Sequence, residues 1–460
     1  MLRADGGSIV FNLLDAITEP GVWKALKRTI KTNEVVIEAY DSYLFFVASA
    51  MKPQGISVDV KFIVVGETQL YHTLYYWDED FRKLFKVRAD FDTAMNRTND
   101  GIKKTARYIS QIVRDEKLLH FDRTGVAALV EESVAMAGRQ EKLTARFSIL
   151  SDVIRESSYC AKKGRKNLVS ARHVQQALNA RKYRHNLVEE RIQEMIDRDT
   201  ILIDTTGDAA GQVNGLAVYQ VGSYAFGRPT RITVKVGQGA RGHREYRTRS
   251  QAFGQNVRQG DAYPRGIFTR PLRRRQADHP DRVGRVRAEL RRRRRRFGVQ
   301  HGKPTHFFSA IAGMPIRQGI AVTGSINQNG DIQAIGGVNE KVEGFYRVCK
   351  AKRRRGVQGV IIPASNAKDL MLPADIVEDV RKGKFHIWSI THVDQGLEIL
   401  MGKTAGTRGK DRKFPKGSIN EIVDRKLLTL AKELQDFGKD KKDDAKKSQG
   451  GAKKSAAKKK

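Results

Sequence analysis

The stretch "AVTGSINQNGDIQAIGGVNEKVEGFYRVCKAK", residues 321–352, decides the fold class. It reads strand, turn, strand, Gly-Gly turn, helix. Val342, Phe345, Tyr346 and Cys349 recur at helical spacing, which predicts a helix starting near Asn339, whose side chain could cap it. Lys341 then falls in the first turn, where the positive end of the helix dipole opposes an ammonium. Burial would act in the same direction, and both push the lysine pKa down. A lysine so placed can serve as general base toward a hydroxyl nucleophile. A first-turn lysine is by itself more often an ordinary surface residue, so its role depends on context.

The flanks carry the same alternation. "GVIIP", "FHIWSI" and "HVDQGLEILMG" give strand, strand and helix on the C-terminal side. On the N-terminal side "ILIDT", "GLAVYQVG" and "RITVKVG" read as strands, the last two separated by the turn-rich "SYAFGRPT". Residues 120–200 are helical: "DRTGVAALVEESVAMAG" opens on an Asp cap and closes on Gly138, and "LTARFSILSDVIRESSYCA" and "SARHVQQALNARKYRHNLVEERIQEMI" come after it as two more helices. Before them "SIVF" (8–11), "VVIEAY" (35–40) and "KFIVVG" (61–66) read as buried strands, and "GVWKALKRTIKT" as a helix started by Pro20, with Trp23, Leu26 and Ile30 on one face. The fold class is α/β with a parallel sheet and a helical lid.

Charge is distributed unevenly. The net charge is +35, but residues 241–304 carry 20 Lys/Arg against 5 Asp/Glu, and residues 409–460 carry 17 against 8, so two short segments hold most of the excess. The first contains six consecutive arginines, Arg291 to Arg296, and shows neither strand nor helix periodicity between 240 and 304. The second ends in a low-complexity Lys-rich tail. Only Cys160 and Cys349 are present, which excludes a disulfide framework and fits a reducing, cytoplasmic setting. The N-terminal stretch lacks the pattern of a secretory signal. The longest apolar patch, "YLFFVASAM" at 43–51, falls short of the roughly 20 residues of a membrane span.

The strings "GQVNGLAVYQVGSYAFGRPTRITVKV", "AVTGSINQNGDIQAIGGVNEKVEGF" and "QGVIIPASNAKDLML" resemble the proteolytic domain of Lon-type ATP-dependent proteases, and the preceding half resembles the AAA+ module of the fused Lon-like branch. The resemblance covers about 5–237 and 307–402. It implies a Ser–Lys dyad that hydrolyses peptide bonds, with Lys341 as general base and Thr323 orienting it. It also implies unfolded or damaged protein substrates, a homo-oligomeric ring, and ATP with Mg²⁺. On this basis residues 1–120 are expected to be a partial AAA+ core and 121–200 its helical lid. Residues 201–239 and 306–403 are expected to form the proteolytic domain, with 240–305 an Arg-rich disordered interruption and 404–460 a basic extension.

The nucleophile is expected near Phe297, in a "GDSAS"-like turn after an "EQSYGGV"-like strand, yet no serine lies between Ser250 and Ser309. Reading the coding DNA one nucleotide later offers an explanation. Each new codon then takes its first base from the second base of the written codon, so CGN arginine codons become Gly, Val, Asp, Ala or Glu. Across 241–302 permitted wobble bases give a string ending "VAFEQSYGGVDGDSASSTE", with the serine codon straddling those of Phe297 and Gly298. The middle bases are chosen freely; the first and third are fixed. The expectation is a frame change near Ala240, restored around Lys303–His306, that removes the nucleophile from the chain as written.

For nucleotide, the resemblance places Arg146 of "LTARFS" as sensor 2, Asp15 of "GGSIVFNLLDAI" in the Walker B region as the candidate for Mg²⁺, and Arg88 (or Lys86) of "LFKVRADF" as the trans-acting finger. Each could equally be an ordinary surface residue. The closest match to a phosphate loop, "GLEILMGKT" (396–404), has its first glycine one position early, and its GKT ends a helix. The chain is therefore expected to be the C-terminal portion of a longer protease, lacking its phosphate loop, with no separate metal site. Two other functions compete. A nucleic-acid or polyanion binder would use the Arg run and Lys-rich tail, and an inactive subunit would dock into intact rings.

Overall fold

A computed structural model describes residues 1–36, 54–222, 224–234, 303–327, 329–353, 356–409, 411 and 413–430. The Arg-rich interruption up to residue 302, most of the strand expected at 35–40 and the Lys-rich tail lie outside the described residues. The chain divides into two compact units, Met1–Asp92 and Thr93–Lys460.

In the first unit β1 (Ser8–Asn12) pairs in parallel with β4 (Lys61–Val65), and the short β2 (Glu34–Val35) pairs antiparallel with β3 (Ile56–Ser57). Helices α1 (Leu13–Thr18), α2 (Val22–Thr32), α3 (Thr68–Trp77) and α4 (Glu79–Leu84) accompany them. Helix α2 forms where Trp23, Leu26 and Ile30 predict it, with Leu26 buried. Trp23 lies 6.1 Å from the Phe81 ring, and the Asp78 carboxylate accepts from Trp23 Nε1 and Lys27 Nζ, both at 2.8 Å. The expectation of buried strands fails on one face of this sheet. Val10, Ile63 and Val65, which the register puts on one face, are 63%, 43% and 58% exposed. Among the described residues this two-stranded sheet is covered on its other face only.

The second unit opens with β5 (Ala94–Asn96), α5 (Asn99–Asp115) and α6 (Arg123–Ala137). Helix α6 has the predicted ends: the Asp122 carboxylate accepts from the Gly125 amide at 2.8 Å, and Gly138 closes it in the left-handed region. The next helix, expected from Leu143, starts only at Phe147, because β6 (Lys142–Thr144) pairs with β5. The long helical pattern after Ser170 is two helices, since Asn186 breaks it. Helices α7 (Phe147–Lys163), α8 (Ala171–His185) and α9 (Leu187–Asp197) come next in order, and α5–α8 share a core built on Ile109, Leu129, Leu150, Ile154 and Val174.

Beyond them, β7 (Asp208–Ala210) pairs antiparallel with β10 (Pro315–Arg317), and a five-stranded sheet has the order β15-β14-β11-β8-β9. Strands β8 (Gln212–Val221), β11 (Ile320–Val322), β14 (Gly359–Pro363) and β15 (His386–Ile390) are parallel, and β9 (Tyr224–Thr233) is the antiparallel edge. "SYAFGRPT" is thus mostly strand. Its Pro229, opposite Leu216, is tolerated because an edge strand can spare an amide. "ILIDT" is not a strand; Ile203 instead buries against Ile196 and Val348. Strands β12 (Ser325–Ile326) and β13 (Ile332–Gln333) make the expected hairpin, and α10 (Lys303–Ala312), α11 (Val338–Ala351), α12 (Ala374–Arg381) and α13 (Val393–Met401) complete the unit. Gly211 ties both sides of the Arg-rich segment together: its carbonyl accepts from the Val234 amide at 2.7 Å, and its amide donates to Ser309 Oγ of α10 at 2.8 Å.

Helix α11 packs Val338, Val342, Phe345 and Cys349 on Leu216, Ala321, Val360 and Ile362 of the sheet. Its height above β9 is set by backbone contact. A Cβ added to Gly344 would stand 2.1 Å from the Gly227 carbonyl oxygen, and one added to Gly227 would stand 1.9 Å from the Glu340 oxygen and 2.8 Å from Lys341 Cα. Alanine in a helix interior normally stabilises by about 0.5–1 kcal/mol relative to glycine. Gly344→Ala should reverse that sign and destabilise by about 2 kcal/mol or more through overpacking. Gly336→Ala, which meets nothing within 4 Å, should be close to neutral. Urea melts of the two variants distinguish them, and a stabilised Gly344→Ala would contradict the contact.

Candidate active site

Helix α11 begins one residue before the sequence suggests. Gly337 stands at its N-cap in the left-handed region, and Asn339 does not cap it. The Asn339 amide instead ties the helix to the segment after β14, donating to the Asp369 carbonyl at 3.2 Å and accepting from the Met371 amide at 2.7 Å. Lys341 remains in the first turn and is only 5% exposed. Its ammonium donates to the Gly336 carbonyl at 2.9 Å. Burial drives its pKa below the ordinary lysine value, and the neighbouring Glu340 charge opposes the shift.

Thr323 directly succeeds the last residue of β11 and is 1% exposed, its amide donating to the Ile361 carbonyl at 3.0 Å. Its hydroxyl is buried with no hydrogen-bond partner. Strand β11, helix α11 and strand β14 form a parallel crossover, so the end of β11 and the start of α11 share the carboxyl edge of the sheet, where open α/β sheets place their sites. The fold therefore brings Thr323 and Lys341 to one edge, without a hydrogen bond between them. A cavity of about 10 Å³, room for a single water, adjoins Thr323 and is lined also by Thr305, Ile326, Ile332 and Ile390.

Ser309 is the first serine after the Arg run, and it cannot serve as nucleophile in this arrangement. It is fully buried, accepts from the Gly211 amide and donates to the Met314 carbonyl. The position expected to carry the nucleophile, near Phe297, lies outside the described residues.

The residues expected to contact nucleotide fall in both units. Asp15 is an exposed carboxylate in the first turn of α1. Arg88 pairs with Asp90 at 2.7 Å and lies over the Tyr71 ring at 4.4 Å, a local arrangement that occupies its guanidinium; Lys86 is exposed. Arg146, in the other unit, is exposed at the N-cap of α7. The GKT of 402–404 lies past the C-terminus of α13, where Gly402 closes the helix and the dipole end is negative, the wrong polarity for a phosphate. A cleft of about 340 Å³ in the helical region, lined by Asp152, Arg155, Glu156, Arg181, Arg184 and His185, contains none of the expected site residues.

Sequence reasoning passed over Gly227 and Gly344, although a glycine inside a helical period signals close approach. It also passed over Glu343 and Arg347, whose spacing of four marks a helical ion pair, and these meet Lys182 and Glu189 from the helical region.

Known proteins match three regions of the chain. Residues 1–92 match the family profile "LonB-like, AAA domain", residues 120–184 "Archaeal LonB, AAA+ ATPase LID domain", and residues 302–403 "Lon protease (S16) C-terminal proteolytic domain". A protein named as a Lon protease homolog in Escherichia coli is 26% identical over 87% of this chain and 67% of its own length. A like-named protein of Haemophilus influenzae is 24% identical over 92% and 70%. The Archaeal Lon protease of Archaeoglobus fulgidus is 28% identical over 66% of this chain, which spans 46% of that protein. Through its AAA, lid and proteolytic regions, the chain belongs to the Lon-type protease family.

Proposed function

We propose that the second unit carries the base half of a Ser–Lys endopeptidase site and that the chain as written lacks its nucleophile. The observation that supports this reading is the state of Lys341: buried in the first turn of α11, bonded to a main-chain carbonyl, with burial favouring the neutral amine. A neutral lysine amine can take the proton of a serine hydroxyl as that oxygen attacks a peptide carbonyl, and can return it to the leaving amine. The unpartnered Thr323 hydroxyl is the group we assign to orienting that amine. Unfolded proteins are the proposed substrates and a homo-oligomeric ring the proposed assembly. ATP and Mg²⁺ belong to the reading only as the family implies them, and no step is drawn through them.

The reading is tested by resequencing the coding DNA from codon 230 to codon 310. One nucleotide gained or lost near codons 240 and 303 gives a chain carrying "GGVDGDSAS", which should cleave unfolded casein. Lys341→Ala in that chain should lower the rate by about 10²–10⁴-fold. The chain as written should show no cleavage, and casein turnover by it would defeat the assignment.

Lys341 also links pH to stability. Its pKa is depressed in the folded state, so between the folded value and the ordinary lysine value, about 10.4, the unfolded chain binds more protons. This contribution to stability therefore rises with pH across that window. Lys341→Met removes the cost of burying the ammonium. It should raise the urea midpoint near neutrality, with the advantage shrinking as pH approaches about 10. A constant difference at all pH values would mean that Lys341 titrates normally.

The concentration of excess charge in 241–304 and 409–460 favours a second reading, nonspecific binding of nucleic acid through phosphate contacts. In a filter-binding titration the logarithm of affinity should then fall linearly with the logarithm of salt, with a slope of several units. A shallow slope would remove this reading.

A further inference from the structure

Five side chains from four elements meet on the flank of α11 away from its hydrophobic face. Glu189 of α9, whose side chain is 12% exposed, accepts from Arg347 of α11 and from the Tyr224 hydroxyl of β9 at 2.5 Å. Arg347 also pairs with Glu343 one turn earlier, at 3.2 Å, and Lys182 of α8 approaches the same Glu343 carboxylate at 3.8 Å. Beside them Val348 buries against Ile196 and Ile203, and Lys352 reaches Asp199 at 2.8 Å and the Ile203 carbonyl at 3.1 Å. Burial raises the pKa of Glu343 and lowers that of Lys182, while the opposing charges across the cluster act against both shifts. Removing one partner from such a cluster leaves the other charge uncompensated, which typically destabilises far more than breaking a surface pair.

The cluster sits where it can control the base. Glu343 and Arg347 flank Gly344, the residue in backbone contact with Gly227, and Gly227 in turn abuts Glu340 and Lys341. A helix with this little clearance cannot shift toward β9. The pull of α8, α9 and Tyr224 on Glu343 and Arg347 opposes movement away from it. We infer that Arg347 is a positioning residue for Lys341: by joining Glu189 of α9 to Glu343 of α11, it makes the seating of the lysine helix depend on helices α8 and α9. The inference rests on the proposed role of Lys341 as base and adds to it a mechanical link from the helical region to the proteolytic sheet.

The test needs no peptidase activity and uses the full chain as written. Lysine labelled with ¹³C at Cε reports the titration of each ammonium by NMR, and Lys341→Met assigns the Lys341 resonance by its loss. Arg347→Met should move the Lys341 titration toward the ordinary lysine value by about one pH unit, a roughly tenfold loss of neutral amine at a fixed pH below the midpoint. Arg347→Lys should restore most of the shift. Glu189→Gln should act in the same direction, and the double variant Glu189→Gln/Arg347→Met should fall short of the sum, as coupled partners do. Val348→Ala, which loosens the same interface without touching the charges, should lower the melting temperature and leave the titration in place. An unmoved titration in Arg347→Met, or an equal shift in Val348→Ala, overturns the positioning role. A Lys341 that titrates at the ordinary value in the unaltered chain fails earlier, and removes the base assignment along with the inference.

Discussion

The contact of two glycines, Gly227 on the edge strand and Gly344 inside the helix, sets the arrangement of the proteolytic unit. With no side chain at either position the helix backbone touches the strand backbone, and everything on α11 acquires its height above the sheet from that touch. Val342 and Phe345 then reach Ala321 and Val360, and the first turn is carried to the carboxyl edge of the parallel strands. Lys341 is buried as a consequence. Its ammonium is left to a carbonyl of the Gly-Gly turn instead of to water, and burial favours the neutral amine. Packing and the depressed basicity are two results of one steric fact.

Much of this was legible in the residues. The period of Val342, Phe345, Tyr346 and Cys349 gives α11, and Asp122 and Gly138 give both ends of α6. The misses have local causes. Asn339 has the chemistry of a cap, but its amide is used by Asp369 and Met371, a tertiary demand that no local pattern carries. "SYAFGRPT" has turn composition, yet it forms a strand because an edge accepts proline. Leu143 and Thr144 adjoin a strong helical period and read as part of it, but those residues are needed to pair with β5. In the first unit Val10, Ile63 and Val65 have the composition of a buried strand, and composition does not say whether a second layer covers them.

Of the candidate site, the helical period put Lys341 in a first turn, while its role and Thr323 came only with the family resemblance; both residues are buried. The ion cluster was invisible because its members are far apart in sequence: Lys182, Glu189 and Tyr224 precede Glu343 and Arg347 by more than a hundred residues. Only the spacing within α11 offered a hint, and such spacing is common on solvated helices.

Gly211 bears on what kind of lesion the molecule can survive. It holds Val234 through its carbonyl and Ser309 through its amide, so residues on the two sides of the Arg-rich segment meet at one glycine. A change of reading frame confined to the interval between them would leave the residues of this anchor unaltered. Its product would keep Lys341 in the chain and lose whatever nucleophile that interval encodes.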